Sequence, residues 1–205
     1  MAAAYDYLTI TLGRGRAAWQ AFATYVNSPG DEAVARVGGE FVGLFAPQLG
    51  FASNEAAVLV RWPTGLRGSM SPLTGADGVV ACHEDALTPT LRPRVGQELR
   101  NAGIYVHRWF VVDGDRVKDF VDLSGQAWGA FEGAYDTEIF GLFTTTPTPE
   151  DTAKGQGRLL LLTWYASHGV WEASREQAAD PQSLFARRHE LTRSTIGRSS
   201  ILVPR

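Results

Sequence analysis

Residues Tyr5 to Leu12 alternate Tyr and Thr with Leu and Ile, the period-2 pattern of a strand with two unlike faces. Tyr5, Tyr7, Thr9 and Thr11 fall on one face, and Leu8, Ile10 and Leu12 on the other. After a turn at 13–16, the spacing predicts a helix over 17–25 with Trp19, Phe22 and Ala23 on its apolar side. Ser28-Pro29-Gly30 interrupts it, and Ser28 is placed to cap a second helical segment that has Pro29 at its first position. Strands are expected over 40–45 and 56–62, joined across Gly50 and Asn54. The Gly/Pro/Ser-rich stretch 63–78 leaves room for a turn or two of helix, and a short strand is expected near 87–92.

The second half shows the same order with clearer signals. A strand over 104–112 and a turn at Asp113-Gly114 precede an amphipathic helix over 116–135, with Phe120, Ala127, Trp128, Phe131 and Tyr135 on one stripe. Then come a strand over 138–144, a polar loop over 145–157 and a strand over 158–165. Helices over 170–176 and 183–195 and a closing strand over 200–203 complete a βαββαβ order, the ferredoxin-like arrangement.

Three short segments recur at nearly equal displacement. Gly43-Leu44-Phe45 returns as Gly141-Leu142-Phe143, displaced by 98 positions. Ala57–Trp62 returns as Leu159–Trp164, displaced by 102, and Leu12–Arg16 as Val112–Arg116, displaced by 100. Matches in the same order at similar spacing indicate a duplication. Leu159 to Leu162 are apolar on both strand faces, so helices must cover one face and another sheet the other. The expected fold is therefore α+β: two tandem ferredoxin-like repeats, residues 1–95 and 103–205, forming an α+β barrel within one chain.

The segments Gly103-Ile-Tyr-Val-His-Arg-Trp-Phe-Val-Val-Asp-Gly114, Asp136-Thr-Glu-Ile-Phe-Gly-Leu-Phe143, Arg158-Leu-Leu-Leu-Leu-Thr-Trp-Tyr-Ala-Ser167 and Val170-Trp-Glu-Ala-Ser-Arg175 resemble the NIPSNAP family. The resemblance covers residues 103–204 and is fainter before them. It implies membership of the dimeric α+β barrel superfamily, whose members include cofactor-free oxygenases, cyclases, haem proteins and proteins with no assigned activity. A typical member begins Tyr-Glu-Leu-Arg-Thr-Tyr. Tyr105 and Arg108 match that pattern, while Val106 stands in place of the acid.

Composition narrows the partners. Net charge is −3 from 19 Lys+Arg and 22 Asp+Glu, without the basic excess that nucleic-acid binding needs. The longest clean apolar run, Leu159–Leu162, is far too short to span a membrane. The first residues carry neither the basic nor the long apolar region of a secretory signal, and Cys82 is the only cysteine, so a cytoplasmic setting is expected. Leu202-Val203-Pro204-Arg205 also matches what thrombin leaves on removing a tag.

Several motifs have bland readings. Gly13-Arg-Gly15-Arg-Ala-Ala18 fits a dinucleotide pattern, but no parallel α/β pattern follows, so it reads as a strand-to-helix turn. Asp113-Gly114-Asp115 reads as a turn rather than a calcium loop. His83, His107, His168 and His189 lack metal-ligand spacing, so neither metal nor cofactor is expected. Arg187-Arg188-His189, with Arg193 and Arg198, reads as a solvated helix face, with anion binding as the alternative.

Candidate chemistry gathers on the strand 104–112. Alternation puts Tyr105, His107 and Trp109 on one face and Arg108 with Phe110 on the other. The first reading is a pocket for an apolar or aromatic small molecule. In it His107 is the catalytic acid/base and Tyr7, Tyr105, Arg108 and Trp109 bind substrate, with no cofactor. The second is a non-catalytic binding or oligomerisation module with His107 as a core residue. A monomer or a homodimer fits either.

Overall fold

The computed structural model describes residues 2–178 and 183–205. The chain is α+β, in the order β1 (Ala4–Leu12), α1 (Arg16–Tyr25), α2 (Asp31–Arg36), β2 (Glu40–Leu49), β3 (Glu55–Trp62), α3 (Ser71–Thr74) and β4 (Val79–Pro89). It continues as β5 (Ile104–Asp113), α4 (Val117–Ala134), β6 (Thr137–Thr145), α5 (Pro149–Ala153), β7 (Gln156–Tyr165), α6 (His168–Ala178), α7 (Leu184–Glu190) and β8 (Thr192–Leu202). It divides into two compact units: residues up to Thr88 together with Ser200–Arg205, and Pro89–Ser199.

In the first unit the strands are ordered β4-β1-β3-β2, all antiparallel. Leu8, Ile10 and Leu12 face the helices, as their alternation predicts, and pack with Phe22, Val26, Val34, Leu44, Val58, Val60, Trp62 and Leu73. Each large side chain wholly removed from water here contributes about 1.5–3 kcal/mol. The expected break at Ser28 is absent. The chain passes from α1 through one wide helical turn, Val26–Gly30, with Pro29 inside it, directly into α2, and Ser28 caps nothing. A wide turn tolerates the missing proline N–H, and it keeps Val26, Gly30 and Val34 buried in one line.

The last strand of this unit begins much earlier than predicted, because β4 pairs with β1 from Leu87 opposite Tyr5 back to Val79 opposite Leu12. Thr90–Arg92 lie outside it, and Thr90 donates from N and Oγ1 to the Leu142 carbonyl, at 2.9 and 2.8 Å. Asp6, wholly buried, accepts from Trp62 Nε1 (2.5 Å) and Arg67 Nε (2.8 Å). The same guanidinium donates to the carbonyls of Tyr5 and Leu87, tying β1 to β4.

In the second unit the order is β8-β5-β7-β6. One face of this sheet presents Val106, Phe110, Val112, Ile139, Leu142, Leu159, Leu161 and Tyr165 to Phe120, Trp128 and Phe131 of α4 and to residues of α6 and α7. Two elements differ from expectation. The polar loop over 145–157 contains α5, and the helix expected over 183–195 ends at Glu190, with β8 running from Thr192. The β-branched Thr192, Thr195 and Ile196 suit a strand.

The two units share local irregularities. The β2–β3 register shifts between Phe41 and Gly43, and the β6–β7 register shifts between Ile139 and Gly141, 98 positions on. Tyr5 pairs with Arg61 and Tyr105 with Trp164, so β3 and β7 correspond at a displacement of 103, one more than the sequence match gives. That single step reverses which side chains share a face. Trp62 and Tyr165 are the helix-facing pair, not Trp62 and Trp164.

Candidate functional site: a cleft between sheet and helices

The helix-covered face of the second unit is incompletely filled. A cavity of about 50 Å3 lies among Val106 and Arg108 of β5, Trp128 and Phe131 of α4, Ile139 of β6, Leu161, Thr163 and Tyr165 of β7, Ser174 and Arg175 of α6, and Phe185 and Arg188 of α7. At ~10–15 Å3 per water-sized sphere this is room for a few waters or a ligand's head group. The exposed Arg175 stands at its edge. On the corresponding face of the first unit, Leu8 occupies the place of Arg108 and packs into a closed apolar core.

Strand alternation sends Arg108 to the helix side because Val106 and Phe110 go there. Arg188 arrives from α7, whose Leu184, Phe185 and Leu191 lie three or four residues from it on the same helix face. Arg187, His189 and Arg193 of the basic run are exposed, as expected, and Arg188, only 7% exposed, is the exception. Its guanidinium carbon lies 5.1 Å from the Phe110 ring centre, 5.3 Å from Phe120 and 4.9 Å from Phe185. Such contacts suit a cation, but they supply no hydrogen-bond acceptor in the ring plane.

The electrostatics are one-sided. Burial, then the charge of Arg108, pushes the Arg188 pKa down to about 10. Burial also lowers Arg108, and Arg175 adds to this. Tyr165 is raised by burial against the opposing pull of Arg108, its bond to Ser174, and Arg188. No Asp or Glu lies within ion-pair distance of Arg108 or Arg188 among the described residues. Arg188 Nη1 and Trp128 Nε1 are buried donors without a hydrogen-bond partner among those residues.

Of the sequence-predicted residues, only Arg108 lines this cleft. Tyr105, His107 and Trp109 occupy the opposite face of β5, and Tyr7 belongs to the first unit. His107 is wholly buried, and burial followed by the Arg198 charge pushes its pKa down to about 3. The Tyr105 hydroxyl donates to the Arg100 carbonyl at 3.0 Å, and its pKa is raised by burial. Burial likewise pushes the Cys82 thiol up to about 11, so it is no nucleophile at neutral pH. No three His, Cys, Asp or Glu side chains form a metal-binding group among the described residues.

No family model and no curated protein sequence matches the chain. Solved structures do. An anthrone oxidase-like protein superposes with TM-score 0.63 at 12% identity, covering 100% of this chain and 92% of its own. A putative monooxygenase from Lactobacillus acidophilus gives 0.59 at 9%, covering 98% and 94%. A haem-binding protein from Thermus thermophilus gives 0.53 at 11%, covering 98% and 92%. The likeness is one of fold. It extends over nearly the whole chain, and it supplies no evidence for the NIPSNAP family in particular.

Proposed function

We propose that the protein binds a small apolar or aromatic molecule in the helix–sheet cleft of its second unit, on a scaffold of two tandem ferredoxin-like repeats. The repeat reading is supported by the matching strand orders β4-β1-β3-β2 and β8-β5-β7-β6 and by the bulge repeated at Gly43 and Gly141. The binding reading rests on one observation: an apolar cavity walled by Trp128, Phe131 and Phe185 into which a few polar groups converge, the ordinary form of a small-molecule site.

Haem, the ligand of one structural neighbour, does not fit here. The residues lining the cleft include no His, Cys or Met, the one phenol, Tyr165, is held protonated by burial, and the space is far below that of a macrocycle. His107 faces away from the cleft, and its imidazole is uncharged at neutral pH. In this reading it is not the proton-transfer group, and binding without a committed reaction is the function the cleft supports.

The test is a methyl NMR titration with single-ring aromatic compounds. The expected result is that benzyl alcohol or benzoate shifts the methyl signals of Val106, Ile139 and Leu161. Val58 and Leu73, in the core of the first unit, stay put. Shifts confined to the first unit, or no shift with any compound, overturn the proposal.

A further inference from the structure

Three arginines line one small cavity, the exposed Arg175 at its edge and Arg108 and Arg188 further from solvent, and among the described residues no ion pair to an acid answers the latter two. Val106, the residue beside Arg108 on the cleft-facing side of β5, is apolar and offers the pair no acceptor. Asp6 of the first unit shows what this chain does when it buries a charge for structure: the carboxylate is matched by Arg67 at 2.8 Å and by Trp62 at 2.5 Å. Arg188 has no such match. Its Nη1 is buried with no partner, and Nε1 of Trp128, a residue of the same lining, is a second unpaired buried donor. A buried donor without an acceptor costs about 1–3 kcal/mol, and more when it is charged. Two like-charged donors together with an indole N–H describe a socket for an acceptor that carries negative charge.

Resting on the cleft being a ligand site, we infer that its ligand is an anion: a carboxylate on a small aromatic body. The carboxylate head group fills the cavity of about 50 Å3 between Arg108 and Arg188, and its ring extends along the aromatic wall of Trp128, Phe131 and Phe185 toward the open edge. Guanidinium groups recognise carboxylates and phosphates through paired N–H donors. A carboxylate on a ring is favoured over a free phosphate because half of the lining is apolar or aromatic, and because the other polar groups, Thr163, Tyr165, Ser174 and the exposed Arg175 at the edge, are too few to replace the hydration of a dianion. Burial and mutual repulsion of the arginines act in the same sense, since an anion relieves both.

Calorimetry on the whole protein at pH 7.5 decides it with three probes: benzoate, its neutral counterpart benzyl alcohol, and inorganic phosphate. Benzoate is expected to bind at least about tenfold tighter than benzyl alcohol, the ratio corresponding to one charge-assisted hydrogen bond. Arg188→Met should erase that preference, bringing the affinity for benzoate down to that for benzyl alcohol measured on the same variant. The same change should raise the melting temperature of the ligand-free protein, because it replaces an unmatched buried charge with a side chain of similar length. Should Arg188→Met not fold, Arg108→Met, at a less buried position, reads the same preference. Equal binding of benzoate and benzyl alcohol, or an unchanged preference in the variant, overturns the anion inference and leaves the cleft standing as a neutral site. Phosphate binding as tightly as benzoate overturns the aromatic carboxylate in favour of a simple oxyanion socket. If neither aromatic probe shifts the methyls of the cleft, the binding site itself is lost, and the inference with it.

Discussion

His107 and Arg188 are both titratable groups taken out of water, and they are legible in the sequence to different degrees. The alternation around His107 correctly separates the faces of β5 but does not say which face carries a cleft, because both faces are buried. Arg188 sits in a basic triplet that looks solvated. The signal that could have placed it is its spacing from Leu184, Phe185 and Leu191, which makes it part of the apolar stripe of α7. His107 carries a testable sign. Its folded pKa, about 3, lies below the unfolded value of ~6.5, so the unfolded state takes up the proton first. The stabilisation from keeping the imidazole neutral is complete above pH ~6.5 and is lost progressively as pH falls toward 3. Melting curves of wild type and His107→Gln from pH 7.5 to 4 should therefore converge as the pH drops, through loss of stability in the wild type. A gap that stays constant with pH would mean the imidazole titrates freely and is not held neutral by the fold.

At the scale of elements, strong periodicity is readable, and short or paired elements are not. β1 and α4 follow from alternation and from an apolar stripe, whereas most of β4 does not, because Cys82-His83-Glu84-Asp85 carries no apolar period and joins the sheet by pairing with β1. The internal sequence match is visible in the Gly-Leu-Phe segments, but its register in β3 and β7 is off by one, since it aligns two tryptophans that face opposite ways. α5 escapes a reading by periodicity although its signal is present: Thr148-Pro149-Glu150-Asp151 puts a cap, a proline at the first helical position and an acid at the third. Asp151 accepts from Thr148 N (2.9 Å), Thr148 Oγ1 (2.8 Å), Gln156 Nε2 (2.9 Å) and Arg158 Nε (3.3 Å). Burial would raise its pKa, yet the bonds from Gln156 and Thr148, with the Arg158 charge, hold it down to about 2. Thr148→Ala removes one cap and should cost about 1 kcal/mol. Asp151→Ala leaves several half-buried donors on Thr148, Gln156 and Arg158 without their acceptor and should cost about 2–3 kcal/mol, more than the loss of the cap alone. Urea denaturation of both variants checks the order. Equal losses would show that Asp151 does no more than cap α5.

At the scale of the whole molecule, the chain's last residues belong with its first. Although β8 begins in the second unit, Ser200–Arg205 group with the residues up to Thr88. Val203 N donates to the Leu44 carbonyl at 2.8 Å, and Asn27 Nδ2 donates to the Pro204 carbonyl at 3.1 Å. Arg205 stacks on Phe41 at 4.8 Å, donates to the Phe41 carbonyl, and lies 3.7 Å from Asp31. A tetrapeptide that reads in the sequence like the remnant of a cleaved tag is thus integral to the first unit. No local pattern could reveal this, because Arg205 and Phe41 stand 164 positions apart and only the folded chain brings them together. Besides the Asn27–Pro204, Arg205–Phe41 carbonyl and Arg205–Asp31 contacts, removing residues 203–205 deletes three larger contributions: one backbone hydrogen bond, one cation–π contact and the packing of Val203 on the core. These contribute about 1, 0.5–1 and 1 kcal/mol respectively. For a chain of this size such a loss lowers the melting temperature by roughly 5–10 °C. Differential scanning calorimetry of the truncated chain measures it directly, with Arg205→Ala as the partial control expected to lose about a third of the effect. A truncated chain that melts with the intact one would mean that β2 and α2 hold their places without the C-terminal segment.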